Sequence, residues 1–175
     1  MHQVPAERSI ELVGEINADA VKGITARLRE LVEKDREGWI NFFISSPGGD
    51  GNLGFAICDL VQFLKPKLQT IALGRADSTG VVVFLAGECR VVGPSTTMFL
   101  HDVGIELKKE ARFTFLQLKT QVQKSEATRR RYCDIIAERT GGKVSAERAL
   151  ELMQAETTLD AEAAVELGFA HEILR

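Results

Sequence analysis

The chain has 175 residues, 45% of them hydrophobic and 27% charged, the balance of an ordinary globular protein that can bury one core without staples. Its formal net charge of −3 argues against a general nucleic-acid or anionic-membrane binder, and no apolar run reaches the ~18 residues of a membrane span. Cys58, Cys89 and Cys133 are odd in number and far apart, with no CxxC pair, so neither a zinc ribbon nor a dithiol redox motif is available. Met1 to Ser9 is polar and lacks the apolar centre of a signal peptide, so a cytoplasmic, reducing location is expected.

Ile10 to Val13, followed by Gly14, reads as a short strand. Asn17 then offers an N-cap, and Val21, Ile24, Leu28, Leu31 and Val32 recur at helical spacing through Lys34. Trp39 to Ile44 has the aromatic and β-branched content of a buried strand, broken by Ser45-Ser-Pro-Gly-Gly-Asp-Gly51. A second amphipathic helix runs from Asn52 to Leu64 and stops before Pro66. Gln69 to Leu73 is the next strand, followed by the turn at Ser78 and an apolar helix to Ala86. Gly87 to Pro94 reads as a turn with a short strand, and Thr96 to His101 as another strand. Strands alternating with helices require crossover connections and a mainly parallel sheet. Arg112 to Thr140 is a long polar helix, ended by Gly141-Gly142, that either projects and packs on another subunit or lies on the surface of a monomer. Ser145 and Asp160 each cap a shorter helix, and Gly168 ends the second. The organisation is one domain, 1–175: a head core over 9–103, a helical extension over 104–142, and closing helices with a last strand over 143–175.

In open parallel sheets, sites form at the carboxyl ends of strands, and Gly48, Gly49, Ser78 and His101 all fall at or just beyond such ends. A serine on a strand-to-helix turn can present its hydroxyl beside the unpaired N–H groups of the helix start, which favour negative charge. Acyl transfer needs that arrangement for its oxyanion. On position alone, Ser78 reads first as an N-cap, His101 as a hydrogen-bonded core histidine, and Gly48-Gly49 as turn geometry. His2 falls in a mobile terminus and His171 in a surface turn. Asp102 is poorly placed to orient the neighbouring ring, because adjacent strand residues point to opposite faces. Glu156, in the turn between the two last helices, can fold back on His101 or stand as a solvated loop acid. Gly48-Gly49 lacks the Gly-Lys-Ser/Thr of a phosphate loop.

Taken in order, Ile44-Ser-Ser-Pro-Gly-Gly49, Ala56-Ile-Cys-Asp59 with Gln62 to Pro66, Gly74 to Gly80, Ala86-Gly87, Met98-Phe-Leu-His101 and Ala161 to Gly168 resemble the proteolytic subunit of the Clp protease, the ClpP family of serine peptidases. The resemblance spans Ser9 to Leu174. It implies a crotonase-like α/β fold and hydrolysis of peptide bonds in unfolded proteins or peptides inside an oligomeric chamber. It also implies Ser78 as nucleophile, His101 as general base and Glu156 as third triad member, where the main family has aspartate. Gly49 and Thr79 match the positions whose N–H groups form the oxyanion hole. No cofactor or metal is implied. The implied partners are a peptide or protein substrate, other copies of the chain in a heptameric ring, alone or stacked in two, and an AAA+ unfoldase.

The resemblance departs at two places. Only about eight residues precede the first strand, so the segment that lines the family's axial pore and engages the unfoldase is expected to be short or absent. Asp102 to Glu110 replaces a glycine-rich stretch that meets its counterpart between rings. These departures and the altered acid motivate an alternative, an inactive paralogue serving as a structural ring subunit. An acyl-CoA enzyme of the wider crotonase class also uses paired N–H donors, but it leaves Ser78 and His101 without a purpose.

Overall fold

The computed structural model of the chain describes residues 2–104 and 112–175. Strand β1 (Ser9–Val13) leads to helix α1 (Ala18–Lys34), where Asn17 accepts the Ala20 N–H and the five apolar residues at helical spacing are buried. Strand β2 (Ile40–Ser46), helix α2 (Gly51–Leu64), strand β3 (Leu68–Ala76), helix α3 (Thr79–Leu85) and strand β4 (Cys89–Val92) continue the alternation. Strand β7 (Glu172–Ile173) pairs with β4, and a five-stranded, all-parallel sheet results in the order β1-β2-β3-β4-β7. Every residue of α3 is buried, as expected of a helix apolar all round. Placed under the core in this way, its first turn has little freedom to move.

The sequence reading ends β3 at Leu73 and counts Thr96 to His101 as a further strand in series. The structure differs on both points, for one reason. Gly74 takes φ +73°, and this left-handed residue redirects the pairing edge of β3. Before it, Ala72 pairs with Val92 of β4; after it, Arg75 pairs with Thr97. The Ala76 N–H donates to Thr97 O and the Thr97 N–H to Gly74 O. Strand β5 (Met98–Leu100) is thereby carried off the parallel sheet and pairs antiparallel with β6 (Thr157–Leu159).

Helix α4 spans Phe115–Arg139 and starts three residues after Arg112, the start expected from the sequence, because Thr114 and Gln117 form a reciprocal capping box. Its first half leaves Phe115, Leu116, Leu118 and Val122 exposed, whereas Tyr132, Cys133 and Ile136 are buried near its end. Left-handed Gly141 and Gly142 terminate it. Ser145 caps α5 (Ala146–Gln154) and Asp160 caps α6 (Ala161–Glu166). His2 is not free: its ring stacks on Trp39 at 3.6 Å, and its N–H donates to the Gln69 side chain. The segment after His101 lies outside the described residues from 105 to 111. Among the described residues, no helix is long and apolar enough to cross a membrane, and no three His, Cys, Asp or Glu side chains converge as a metal centre needs.

Candidate active site

Ser78 sits at the junction of β3 and α3 with φ 52° and ψ −122°. Those angles, with the Gly80 N–H donating to Asp77 O at 2.7 Å, define a type II′ turn in which Ser78 holds the position normally taken by glycine. Ser78 precedes the first residue of α3 but does not act as its cap through the side chain. The hydroxyl is left for other use, and the strained backbone that presents it is typical of functional positions.

His101 follows β5, and the position of β5 is dictated by the same turn. Phe99 is held at both of its polar groups: its oxygen accepts the Ser78 N–H at 2.8 Å, and its N–H donates to Asp77 Oδ1 at 3.0 Å. Asp77 is buried, and its other oxygen accepts from Arg75 Nε at 2.7 Å. Two residues on, the His101 ring stacks against Phe99 with centroids 5.4 Å apart. Turn and histidine are thus braced through one residue. Ser78 and His101 line the same cavity of about 350 Å³, whose walls include Val82, Leu100, Val103 and Tyr132. A larger groove of about 970 Å³, lined by Arg131, Arg139 and His171 among others, contains no serine.

Gly49 and Thr79 face the same cavity as Ser78. Ile16 brackets Gly49 by donating its N–H to Gly48 O at 2.8 Å and accepting the Asp50 N–H at 3.0 Å. The N–H groups of Gly49 and Thr79 have no hydrogen-bond partner among the described residues. Both glycines are obligatory on steric grounds. A Cβ on Gly48 would lie 2.8 Å from Ser78 Cβ, and one on Gly49 would lie 2.5 Å from Ile16 O. The carbonyl of Gly49 accepts from Thr79 Oγ1 at 3.0 Å, and Thr79 Oγ1 lies 2.5 Å from the Tyr132 hydroxyl.

The Nδ1 atom of His101 lies 2.7 Å from the main-chain oxygen of Asp102. A carbonyl can only accept, so Nδ1 is the donor here, and the neutral ring in this tautomer has its lone pair on Nε2, as a general base needs. The carboxylate of Asp102 is turned away and pairs with Arg129 at 3.2 Å. Glu156 is exposed, with φ 50°, and its carboxylate makes no hydrogen bond or ion pair among the described residues. It does not line the cavity. In the backbone, Leu100 pairs with Thr157 at the end of the antiparallel ladder, so His101 directly follows and Glu156 directly precedes that last pair.

The cysteines offer no rival nucleophile. Burial pushes the Cys58 thiol up to about 12 and raises those of Cys89 and Cys133, so all three are held as thiols. Sequence reasoning overlooked Asp77, Tyr132 and the Asp102 carbonyl. Asp77 stands in the motif itself and could have been noticed there. The other two act through atoms that no sequence spacing reveals.

A family model described as Clp protease matches residues 1–175. Among curated proteins, the ATP-dependent Clp protease proteolytic subunit 2 of Treponema pallidum (strain Nichols) is 30% identical over 169 residues, 95% of this chain and 82% of that one. Among solved structures, a ClpP1 mutant from Listeria monocytogenes superposes with a TM-score of 0.84 at 26% identity, covering 97% of this chain and 92% of that one.

Proposed function

Since the chain belongs to the Clp protease family and is a serine endopeptidase of that type, we propose that Ser78 is its nucleophile and His101 its general base. The observation that carries this reading is the strained II′ turn. It presents an unused hydroxyl in the cavity that also holds His101 and the free N–H groups of Gly49 and Thr79. The Ser78 oxygen attacks the substrate carbonyl carbon while its proton passes to Nε2 of His101. The new C–O bond converts the carbonyl oxygen to an oxyanion, which accepts from the Gly49 and Thr79 N–H groups. Collapse breaks the C–N bond as His101 returns the proton to the departing amine. Water then repeats the cycle on the acyl-serine and restores the hydroxyl. Loss of one oxyanion donor lowers the rate on the order of 100–1000-fold.

Glu156 is the proposed third member. A neutral carbonyl fixes the tautomer of His101 but does little to offset the charge of the imidazolium that forms, and a carboxylate does both. The register of β5 and β6 supports Glu156, since His101 and Glu156 flank its last pair, Leu100 with Thr157.

Proteins of this family form oligomeric rings that pair with Clp ATPases. For this chain we propose a heptameric ring enclosing the sites, with peptides or unfolded proteins as substrates, an AAA+ unfoldase as the partner and the cytoplasm as its location. The exposed apolar first half of α4 supports a head core over 9–103 with an extension over 104–142 that meets other copies. The closing segment, 143–175, completes the head through β6 and β7.

Labelling with a fluorophosphonate, read by intact mass, tests the assignment. A single adduct on the wild type that disappears in Ser78→Ala is the expected result. No adduct on assembled wild-type protein would leave the chain as a structural ring subunit.

A further inference from the structure

Thr79 contributes more than its N–H. Its hydroxyl has one hydrogen, and that hydrogen is directed to Gly49 O at 3.0 Å. The contact of 2.5 Å with the Tyr132 oxygen therefore has Tyr132 as donor and Thr79 Oγ1 as acceptor. Tyr132, the only tyrosine of the chain, is 7% exposed and stacks obliquely on Phe55, with centroids 5.1 Å apart. Burial raises the pKa of its phenol, which keeps the donor protonated.

Space for this chain of hydroxyls is made by two glycines one turn apart on α2. A Cβ on Gly54 would fall 2.1 Å from the Thr79 methyl, and one on Gly51 would fall 3.1 Å from the Tyr132 oxygen. The Thr79 rotamer is thus set from three sides. What it holds is a glycine at φ +145°, a residue with little conformational preference of its own. Ile16 holds the backbone on either side, through Gly48 O and the Asp50 N–H, and the Thr79 hydroxyl supplies the tie on Gly49 itself.

We propose that Tyr132 and the Thr79 hydroxyl are positioning residues that fix the orientation of the Gly49 N–H relative to that of Thr79, so that both donors converge on one oxygen. The relay runs from the buried end of α4 through the first residue of α3 to the loop after β2. It joins these three elements at the cavity. The inference rests on the reading of Gly49 and Thr79 as oxyanion donors and specifies what aligns them.

The test uses assembled full-length protein and three variants: Thr79→Val, which removes the hydroxyl at constant shape; Thr79→Ser, which keeps it; and Tyr132→Phe. Two quantities are measured, kcat and KM for a fluorogenic peptide and the affinity of a peptide boronate. The boron of that inhibitor takes up Ser78 Oγ as the serine proton moves to His101, and the resulting tetrahedral anion occupies the oxyanion position. Thr79→Val should lower kcat and boronate affinity by the same factor, about 10- to 100-fold, with KM unchanged. Thr79→Ser should recover most of the loss, and Tyr132→Phe should show a smaller loss of the same kind.

Boronate affinity unchanged in both Thr79→Val and Tyr132→Phe, or no recovery in Thr79→Ser, would overturn the relay while leaving the peptidase assignment intact. A wild type that binds no boronate and hydrolyses no peptide would remove the peptidase assignment, and the relay with it.

Discussion

The Nδ1 atom of His101 is engaged by the main-chain oxygen of Asp102 at 2.7 Å, although Glu156 immediately precedes Thr157, the residue that closes the ladder with Leu100. The carbonyl suffices to hold the tautomer. Stabilising the imidazolium calls for a carboxylate. If Glu156 moves onto Nδ1 in the working enzyme, Glu156→Ala should lower kcat by about 100-fold, within the span of acid–base contributions. Glu156→Asp should retain measurable activity. Hydrolysis of a fluorogenic peptide, normalised to titrated Ser78, gives the answer. A near-wild-type Glu156→Ala would assign the orienting role to the Asp102 carbonyl alone.

Asp77 is the brace between the Ser78 turn and the strand that carries His101. Replacement by alanine strands the Phe99 N–H and frees Arg75, at a cost of about 1–3 kcal/mol for a buried charged hydrogen-bond partner. Asp77→Ala should lower both thermal stability and kcat, since β5 carries His101. Asp77→Asn retains an acceptor for Phe99 and should fall between the two. Thermal unfolding alongside peptide hydrolysis checks the pair. A destabilised Asp77→Ala with undiminished kcat would separate the brace from the chemistry.

Ser78 illustrates a conflict between stability and function. Its backbone occupies a conformation suited to glycine, with strain of the order of 1–3 kcal/mol. Glycine removes that strain but adds freedom to the unfolded chain, worth up to about 1 kcal/mol. Ser78→Gly should therefore abolish fluorophosphonate labelling and yet unfold at a higher denaturant concentration than the wild type, by about 1 kcal/mol in stability. A midpoint at or below that of wild type would refute the strain argument.

His171 gives the fold a pH dependence remote from the site. Its Nδ1 accepts the Arg90 N–H at 3.1 Å, and burial, together with the charges of Arg90 and Arg139, lowers its pKa from 6.5. The unfolded chain binds this proton more readily than the native state does. The contribution to stability is therefore complete above the unfolded value and is lost as pH falls below it toward the native value. Denaturant midpoints should drop between pH 7.5 and pH 5, and His171→Gln should flatten that part of the profile. Parallel profiles for the two proteins would show that other groups dominate.

The helices and parallel strands were legible because each is specified locally. Asn17, Ser145 and Asp160 cap where their side chains allow, and the apolar residues of α1 recur at the helical period. Ser78 stands out as a candidate because strand ends in a parallel sheet converge on one edge, whereas His101 comes to the same cavity on a strand that has left that sheet. The departure of β5 from that sheet was not legible. It depends on the sign of φ at Gly74, and a glycine adopts either sign at similar cost.

What the sequence by itself determined is the alternation of strands and helices, the placement of Ser78 on a strand-to-helix turn, and the family motifs that carry a serine peptidase. What the tertiary structure alone decided is how those parts face one another. The II′ geometry at Ser78, the clamp of Asp77 on Phe99, the hydroxyl chain from Tyr132 to Gly49 and the partner of His101 Nδ1 all join residues to main-chain atoms or to distant elements. Side-chain identity is written along the chain, whereas the direction of an N–H or a carbonyl exists only once the backbone has closed around it.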